Sequence, residues 1–397
     1  MAAPRSRRAA PTRARPPAAT SEPASFGDLV ERRLRNQRLA AGGHAQSPEA
    51  VVAALGAVQA QDYLGAKWAV AQRAVACTDA GVEEALDRGT ILRTHVLRPT
   101  WHFVAPADIR WLLALTAPRV HALNAPYYRQ TGLDEARLLA RSDGALAKAV
   151  QGGRYLTRDE VRAALLDAGI RADGLRLALL LMHAELEGVV CSGPRRGKQF
   201  TYAALDERAP TARHLPADEA LAELARRYFT GHGPARPHDF AWWSGLRVAD
   251  AQQAIQALGP ALESRSAGND TYLVAADGTR PSRRRGGPRV HLLPSYDEYV
   301  VAYRNHAPIV EVGHAKTLSI RGGFVGAAVI LVDGRVAGSW RRTLERAGVT
   351  VHAALLLPFD AAAQASLERE TVRYGQFLGL PVRLDVRGPQ RAAAKKR

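Results

Sequence analysis

The sequence predicts an α+β protein in which a unit of helices closed by a strand hairpin occurs three times before a β-rich C-terminal domain. Three observations carry this. Apolar residues at helical spacing are followed by paired stretches rich in β-branched and aromatic residues around 47–104, 157–202 and 218–274. Gly- and Pro-bearing turn segments separate the paired stretches, most plainly Gly193-Pro194-Arg195-Arg196-Gly197-Lys198. Beyond residue 281 the pattern changes to short apolar strands and one closing amphipathic helix. Helices followed by two strands are the outline of a winged helix. The expected division is a disordered basic arm (1–25), winged helices at 26–125, 126–215 and 216–280, a β-rich domain (281–386) and a basic tail (387–397).

In chain order, residues 1–25 are rich in Pro, Ala and Arg and hold almost nothing that builds a core. The helical pattern begins at Phe26. Ser47-Pro48-Glu49 is a helix start, with a capping hydroxyl, Pro in the first turn and an acid at the positive end. That helix runs into Gln59-Ala60-Gln61, and short helices follow at 64–76 and 81–88. The run from Ile91 to Val104 reads as two strands, with Thr94, Val96, Thr100 and His102 on one parity. Helical passages cover Pro106 to Leu115 and about 134–150. Thr157 and Glu160 then make a capping box, a helix spans Arg176 to Leu186, and 188–202 form the hairpin with a cationic tip.

The third unit has helices from Asp218 to Phe229, His238 to Ser244 and Val248 to Leu258, with strands from Leu262 to Val274. The C-terminal strands are Val290–Pro294, Gly326–Trp340 and Val351–Leu357. Asp333-Gly334 supplies a two-residue hairpin turn, and Ala361–Leu378 is the closing helix.

A chain of 397 residues with 47% hydrophobic content has material for several cores. No apolar run approaches the ~18 residues needed to cross a bilayer. A cytoplasmic, nucleoid-associated monomer is expected, with no membrane partner. Cys77 and Cys191 are the two cysteines, so there is no disulfide framework, and the dispersed histidines give no metal-ligand spacing; neither metal nor cofactor is expected. The formal net charge is +17, with both termini and the body basic, which points to a polyanion, double-stranded DNA above all.

The candidate chemistry centres on Gln59-Ala60-Gln61. On a helix two residues at i and i+2 point about 200° apart, whereas in an extended segment they project to one side. Two glutamines two apart are most often just solvated. Five stretches together nonetheless resemble one family: Val58-Gln59-Ala60-Gln61; Arg98-x-Thr100-x-His102-x-Val104; Gly231-His232-Gly233-Pro234 with Asp239-Phe240-Ala241-x-Trp243; Leu292-Leu293-Pro294-x-Tyr296-Asp297-x-Tyr299; and Val332-Asp333-Gly334-Arg335-Val336-x-Gly338-x-Trp340. The chain resembles the AlkZ-like winged-helix DNA glycosylases from about residue 28 to 380. Pro99 stands where that family's strand has Gly.

The resemblance implies base-excision hydrolysis of the N-glycosidic bond of N7-alkylguanine-type lesions, extending to bulky adducts or interstrand crosslinks from a natural product. It implies that the three winged helices form a concave DNA-binding surface, and that Gln59 and Gln61 are the catalytic pair. An N7-alkylated guanine is cationic and already a good leaving group. The protein need only hold a water and place dipoles against the developing sugar charge, which neutral carboxamides can do. His102, Thr100 and Asp62 are candidate pocket residues. Arg195, Arg196 and Lys198 of the wing, with Arg283, Arg284 and Arg285 of a loop, are candidate phosphate contacts. The rival reading is a non-catalytic winged-helix DNA-binding protein, such as a regulator or architectural factor.

Overall fold

The computed structural model describes residues 25–276, 287–310, 314 and 324–389. The chain is a mixed α/β protein. The first part holds α1 (Phe26–Asn36), α2 (Pro48–Leu55), β1 (Val58–Gln59), α3 (Tyr63–Ala71), α4 (Asp79–Arg88), β2 (Leu92–Val96) and β3 (Arg98–Val104). Its three-stranded sheet has the order β1-β3-β2 and is antiparallel throughout. Ser47 caps α2 through Ala50 N–H with Pro48 in the first turn, as the sequence predicts. Val51, Val52, Leu55, Val70, Val82, Ile91 and Phe103 form the core between these helices and the sheet.

The next part holds α5 (Ile109–Gln130), α6 (Ala136–Val150), β4 (Leu156–Thr157), α7 (Arg158–Asp167), α8 (Gly174–Leu186), β5 (Val190–Arg196) and β6 (Gln199–Ala204), with sheet order β4-β6-β5. Thr157 and Glu160 make the expected capping box. The sequence reading stops a helix near Leu115, but α5 is one helix of 22 residues that carries Pro118 and Pro126 inside it. Each internal proline forfeits a backbone hydrogen bond. Burial of Trp111, Leu112, Leu113, Ala117, Val120 and Tyr128 along one side offsets that loss.

The third part holds α9 (Leu205–Arg208), α10 (Ala217–Gly231), α11 (Pro237–Ser244), α12 (Val248–Leu258) and the hairpin β7 (Leu262–Ala267) with β8 (Asp270–Ala275). One apolar core runs from Leu92, Val96 and Val104 of the first sheet through α5 to Leu224, Phe229 and Trp243. The first and third parts are therefore packed as one body.

The last part holds β9 (Val290–Leu293), α13 (Glu298–Val301), β10 (Val329–Val332), β11 (Arg335–Glu345), β12 (Gly348–Leu355), α14 (Ala361–Leu378) and β13 (Val382–Arg387). Its five-stranded sheet has the order β13-β12-β11-β10-β9, with β13 parallel to β12. The sequence reading omits β13, although Val382, Leu384 and Val386 alternate strictly with charged residues over Val382–Arg387. Asp333 and Gly334 both have positive φ, the backbone a tight two-residue hairpin requires. A side chain at Gly334 would strike Val30, Leu34 and the Tyr299 hydroxyl, so only glycine fits. Leu29 of α1 packs on Tyr272 of β8, and Val30 packs into the core of this last sheet.

Candidate active site

The chain leaves α2 at Gly56, whose φ of 77° ends the helix, and is extended by Val58. β1 pairs with β3 so that Gln59 lies opposite His102. The Gln59 side chain is buried, and its Oε1 accepts a hydrogen bond from Arg98 Nη2 at 2.8 Å. The same Nη2 lies 3.3 Å from His102 Nε2, while His102 Nδ1 lies 2.9 Å from the Thr100 carbonyl. A guanidinium can only donate, so Nε2 is the acceptor and the proton sits on Nδ1. The Arg98 Nη1 donates to the Trp243 carbonyl.

Behind the strand lies a carboxylate that is wholly buried. Glu298 Oε1 accepts the backbone N–H of Gln59 at 2.8 Å, and Oε2 accepts Trp243 Nε1–H at 2.8 Å. His232 Nε2 lies 3.4 Å from the same Oε2. The adjacent Asp297 makes two hydrogen bonds to Arg73 of the first part, at 2.9 and 2.7 Å. Trp68 Nε1–H donates to the Leu292 carbonyl, and Tyr299 O–H to that of Gly334. The five stretches that carry the family resemblance, scattered along the sequence, thus converge on one polar network whose front member is Gln59.

The electrostatics follow from burial. Desolvation works to raise the Glu298 carboxyl, but His232, the Arg98 charge and the Gln59 N–H outweigh it and hold the group below the usual carboxylate range. Desolvation, helped by the Arg98 charge, pushes His102 down to about 3. Neither group changes charge near neutrality. His102 has an unfolded value of ~6.5, so the folded state disfavours its proton between that value and about 3. The stability this contributes is complete above pH ~6.5 and is lost as the pH falls toward 3. We expect Tm to decline steadily when pH is lowered from ~6.5 to ~4; a level Tm over that range in calorimetry would contradict the neutral buried imidazole.

Gln61 departs from the sequence expectation. The extended segment ends at Gln59, and Gln61 lies in a bend, exposed and without a hydrogen-bond partner among the described residues. The two carboxamides therefore differ in setting, one buried and clamped, the other open. The bend is set by Asp62, which caps α3 by accepting from Gly65 N–H at 3.1 Å and pairs with Arg342 at 2.9 Å. Asp62 is thus committed to a cap and an ion pair. The Thr100 Oγ1 is buried without a partner among the described residues. β3 runs unbroken past Pro99, which falls beside the register shift at His95/Val96 where no ladder donor is needed.

Sequence reasoning missed three residues here. Arg98 was quoted only as part of a strand, and Glu298 occupies an unspecified position in a quoted motif. Arg93 is buried beneath the bend, its guanidinium 4.3 Å from the Trp101 ring and 4.7 Å from Phe200. It donates weakly to the Ala60 carbonyl between the two glutamines, at 3.3 Å from Nη2, and burial lowers it to about 10. An Arg inside a short run that otherwise reads as a strand was the available signal.

Of the candidate phosphate contacts, Lys198 is exposed at the β5–β6 turn. Arg196 is exposed too, but donates to Glu160 at 2.7 Å and to the Tyr155 carbonyl at 2.5 Å. Arg195 is turned inward over the Tyr63 and Phe200 rings, each 5.3 Å away, with Glu83 3.5 Å off. Aromatic and carboxylate neighbours within the protein thus hold its guanidinium in place. Arg283, Arg284 and Arg285 lie outside the described residues. Lys67 is paired with Asp79 and Glu83 at 2.8 and 2.6 Å. Among the described residues, His121, His183 and Glu187 bring donor atoms within 4.8 Å of one another, a grouping that the spacing of the sequence does not display. The fold joins two helices that sequence spacing kept apart.

A basic, mixed α/β chain whose Gln59 strand fronts a buried arginine–glutamate network, with Gln61 in the bend beyond it, matches the DNA glycosylase class. The family model "DNA glycosylase AlkZ-like" matches residues 52–377, and the chain belongs to that family. A curated relative from Streptomyces sahachiroi, named an interstrand DNA cross-link repair glycosylase, is 25% identical over 356 residues, covering 84% of this chain and 92% of that protein. The solved structure of Streptomyces sahachiroi DNA glycosylase AlkZ superposes with a TM-score of 0.75 at 22% identity, covering 92% of this chain and all of that one. Family membership sets aside the non-catalytic regulator.

Proposed function

We propose that the chain is a monofunctional DNA glycosylase that hydrolyses the N-glycosidic bond of N7-alkylguanine-type lesions, including crosslinks of the kind its Streptomyces relative is named for. The observation that supports this best is the convergence of four distant stretches on the Gln59 strand, through Arg98 and Glu298, with the fifth tied to them through Tyr299. Gln59, with Oε1 occupied by Arg98, offers its N–H donors; Gln61 has both its oxygen and its amide free to orient a water beneath the sugar C1′. The cationic lesion leaves without a general acid. Glu298, ionised and buried, adds negative potential behind the strand that favours the developing oxocarbenium charge.

We read the helix–hairpin parts as three winged helices within 26–125, 126–215 and 216–280, followed by the β-rich domain, together cradling duplex DNA in a concave surface as a monomer. No helix among the described residues is long and apolar enough to cross a membrane.

The test is incubation of the protein with duplex DNA carrying N7-methylguanine or a bis-alkylated crosslink, scored for abasic sites by alkaline cleavage. Accumulation of abasic sites is expected; intact DNA on every alkylated substrate, with binding retained, rejects the reading. Because neither His102 nor Glu298 titrates near neutrality, the single-turnover rate is expected to vary less than about threefold between pH 6 and 9. A tenfold rise centred near pH 6.5 would require a titrating base instead. For the wing, Lys198→Ala is expected to weaken binding uniformly across DNA sequences and to lower the salt slope by ~1. Arg195→Ala is expected to destabilise the fold through lost ring contacts instead. Equal salt slopes for Lys198→Ala and the unmodified protein would remove the wing from the interface.

A further inference from the structure

The packed pair α5 and α8 holds a polar cluster that the excision chemistry does not use. His121 lies on α5, His183 on α8, and Glu187 caps the C-terminus of α8. His183 and Glu187 are four residues apart and share one helix face. Each of the three places a donor atom within 4.8 Å of the other two. The outer ring nitrogens are already engaged: His183 Nδ1 lies 3.2 Å from Asp143 Oδ1 of α6, and His121 Nδ1 lies 3.0 Å from the Tyr128 hydroxyl. With Nδ1–H donating to these oxygens, the Nε2 lone pair of each ring is the one able to coordinate.

The His121 Nε2 atom is the informative one. It is buried, and Glu187 Oε1 lies 2.9 Å away, so the imidazole and the carboxylate already face each other across the two helices. Histidines oriented by a carboxylate or hydroxyl on one nitrogen, with the other turned to a shared carboxylate, have the outer-shell arrangement of metal ligands. The cluster borders a cavity of about 340 Å³, also lined by Arg110 and His214; Arg110 is paired with Asp206.

We propose that His121, His183 and Glu187 bind one divalent ion of the zinc class, with a fourth position open to water from the cavity. Two imidazoles and a carboxylate suit Zn²⁺, with Zn–N near 2.0–2.1 Å and hence ligand–ligand edges of roughly 3.3–3.5 Å. Ligation requires small side-chain movements from the present spacing of up to 4.8 Å, and Glu187 is exposed and able to move. The ion ties α5, which follows directly from β3, to α8. That helix also carries Glu185, the ion-pair partner of His95 on β2. It braces the sheet that presents Arg98 and His102 without taking part in the reaction there.

The test uses the full-length protein, stripped with chelator and titrated with Zn²⁺ by calorimetry and with Co²⁺ by visible absorption. One ion per chain is expected, with cobalt d–d bands of a four- or five-coordinate nitrogen–oxygen site. His183→Ala, and Glu187→Gln at its exposed position where folding is preserved, should each weaken binding by at least ~10-fold. His238→Ala, at an exposed histidine on α11, should leave it unchanged. The excision rate of Glu187→Gln should match the unmodified protein. Absence of one-to-one binding, or binding indifferent to both His183→Ala and Glu187→Gln, overturns the site.

Discussion

Replacement of Gln61 by alanine is expected to lower single-turnover excision of an N7-alkylguanine lesion by roughly 10²–10³-fold, the loss typical of removing one pre-placed polar group from a transition state. Gln61 is exposed and makes no hydrogen bond among the described residues, so its carboxamide is available to water and sugar. For the same reason the substitution should change stability by no more than ~0.5 kcal/mol. Gln59→Ala is a different experiment. It deprives Arg98 Nη2 of its closer acceptor, leaving only the longer contact to His102 Nε2, and should lower stability and activity together. Abasic-site formation under single-turnover conditions, read beside urea unfolding, separates the two. If Gln61→Ala retains turnover within twofold, the catalytic assignment is wrong.

Removal of the buried carboxylate is the second large effect. Glu298→Ala strands the Gln59 N–H and the Trp243 indole N–H without acceptors and leaves Arg98 without the charge that balances it. Breaking a buried charged contact in this way costs about 3–5 kcal/mol. Urea unfolding should show a correspondingly lower midpoint at unchanged slope. Glu298→Gln keeps the shape but not the charge, so its stability loss should be smaller while excision still falls, because the Gln59 strand is held less firmly. A destabilisation below ~1 kcal/mol in Glu298→Ala would mean that the network does not anchor the strand.

Local chemistry made much of the fold legible. The Ser47 and Thr157 caps, the Asp333-Gly334 turn and the apolar periodicities locate helices and hairpins correctly because each depends on residues within one or two turns. Where tertiary burial overrides local rules the reading failed, as along α5, whose two prolines mark a break that a continuous apolar side overrules. The candidate site was legible as motifs but not as a network. Nothing in Tyr296-Asp297-x-Tyr299 says that the unspecified residue faces a strand 239 positions earlier. The bend after Gln59 rests on the Asp62 cap, a local contact with Gly65 N–H, and on the Asp62–Arg342 pair, a long-range contact that only the folded chain displays.

The Glu298–Gln59 contact has a consequence for how the protein is made and cut. The segment bearing both glutamines is synthesised early, but its buried counter-charge, along with the Asp297 that secures Arg73, arrives only when some three-quarters of the chain has left the ribosome. A nascent or truncated product ending before β9 carries Arg98 and Arg73 with no carboxylate to meet them. The enzyme therefore comes into being late and all at once, which spares the cell a partial chain able to open glycosidic bonds. Any split or shortened form must bring residues 290–301 back to the first helices to work.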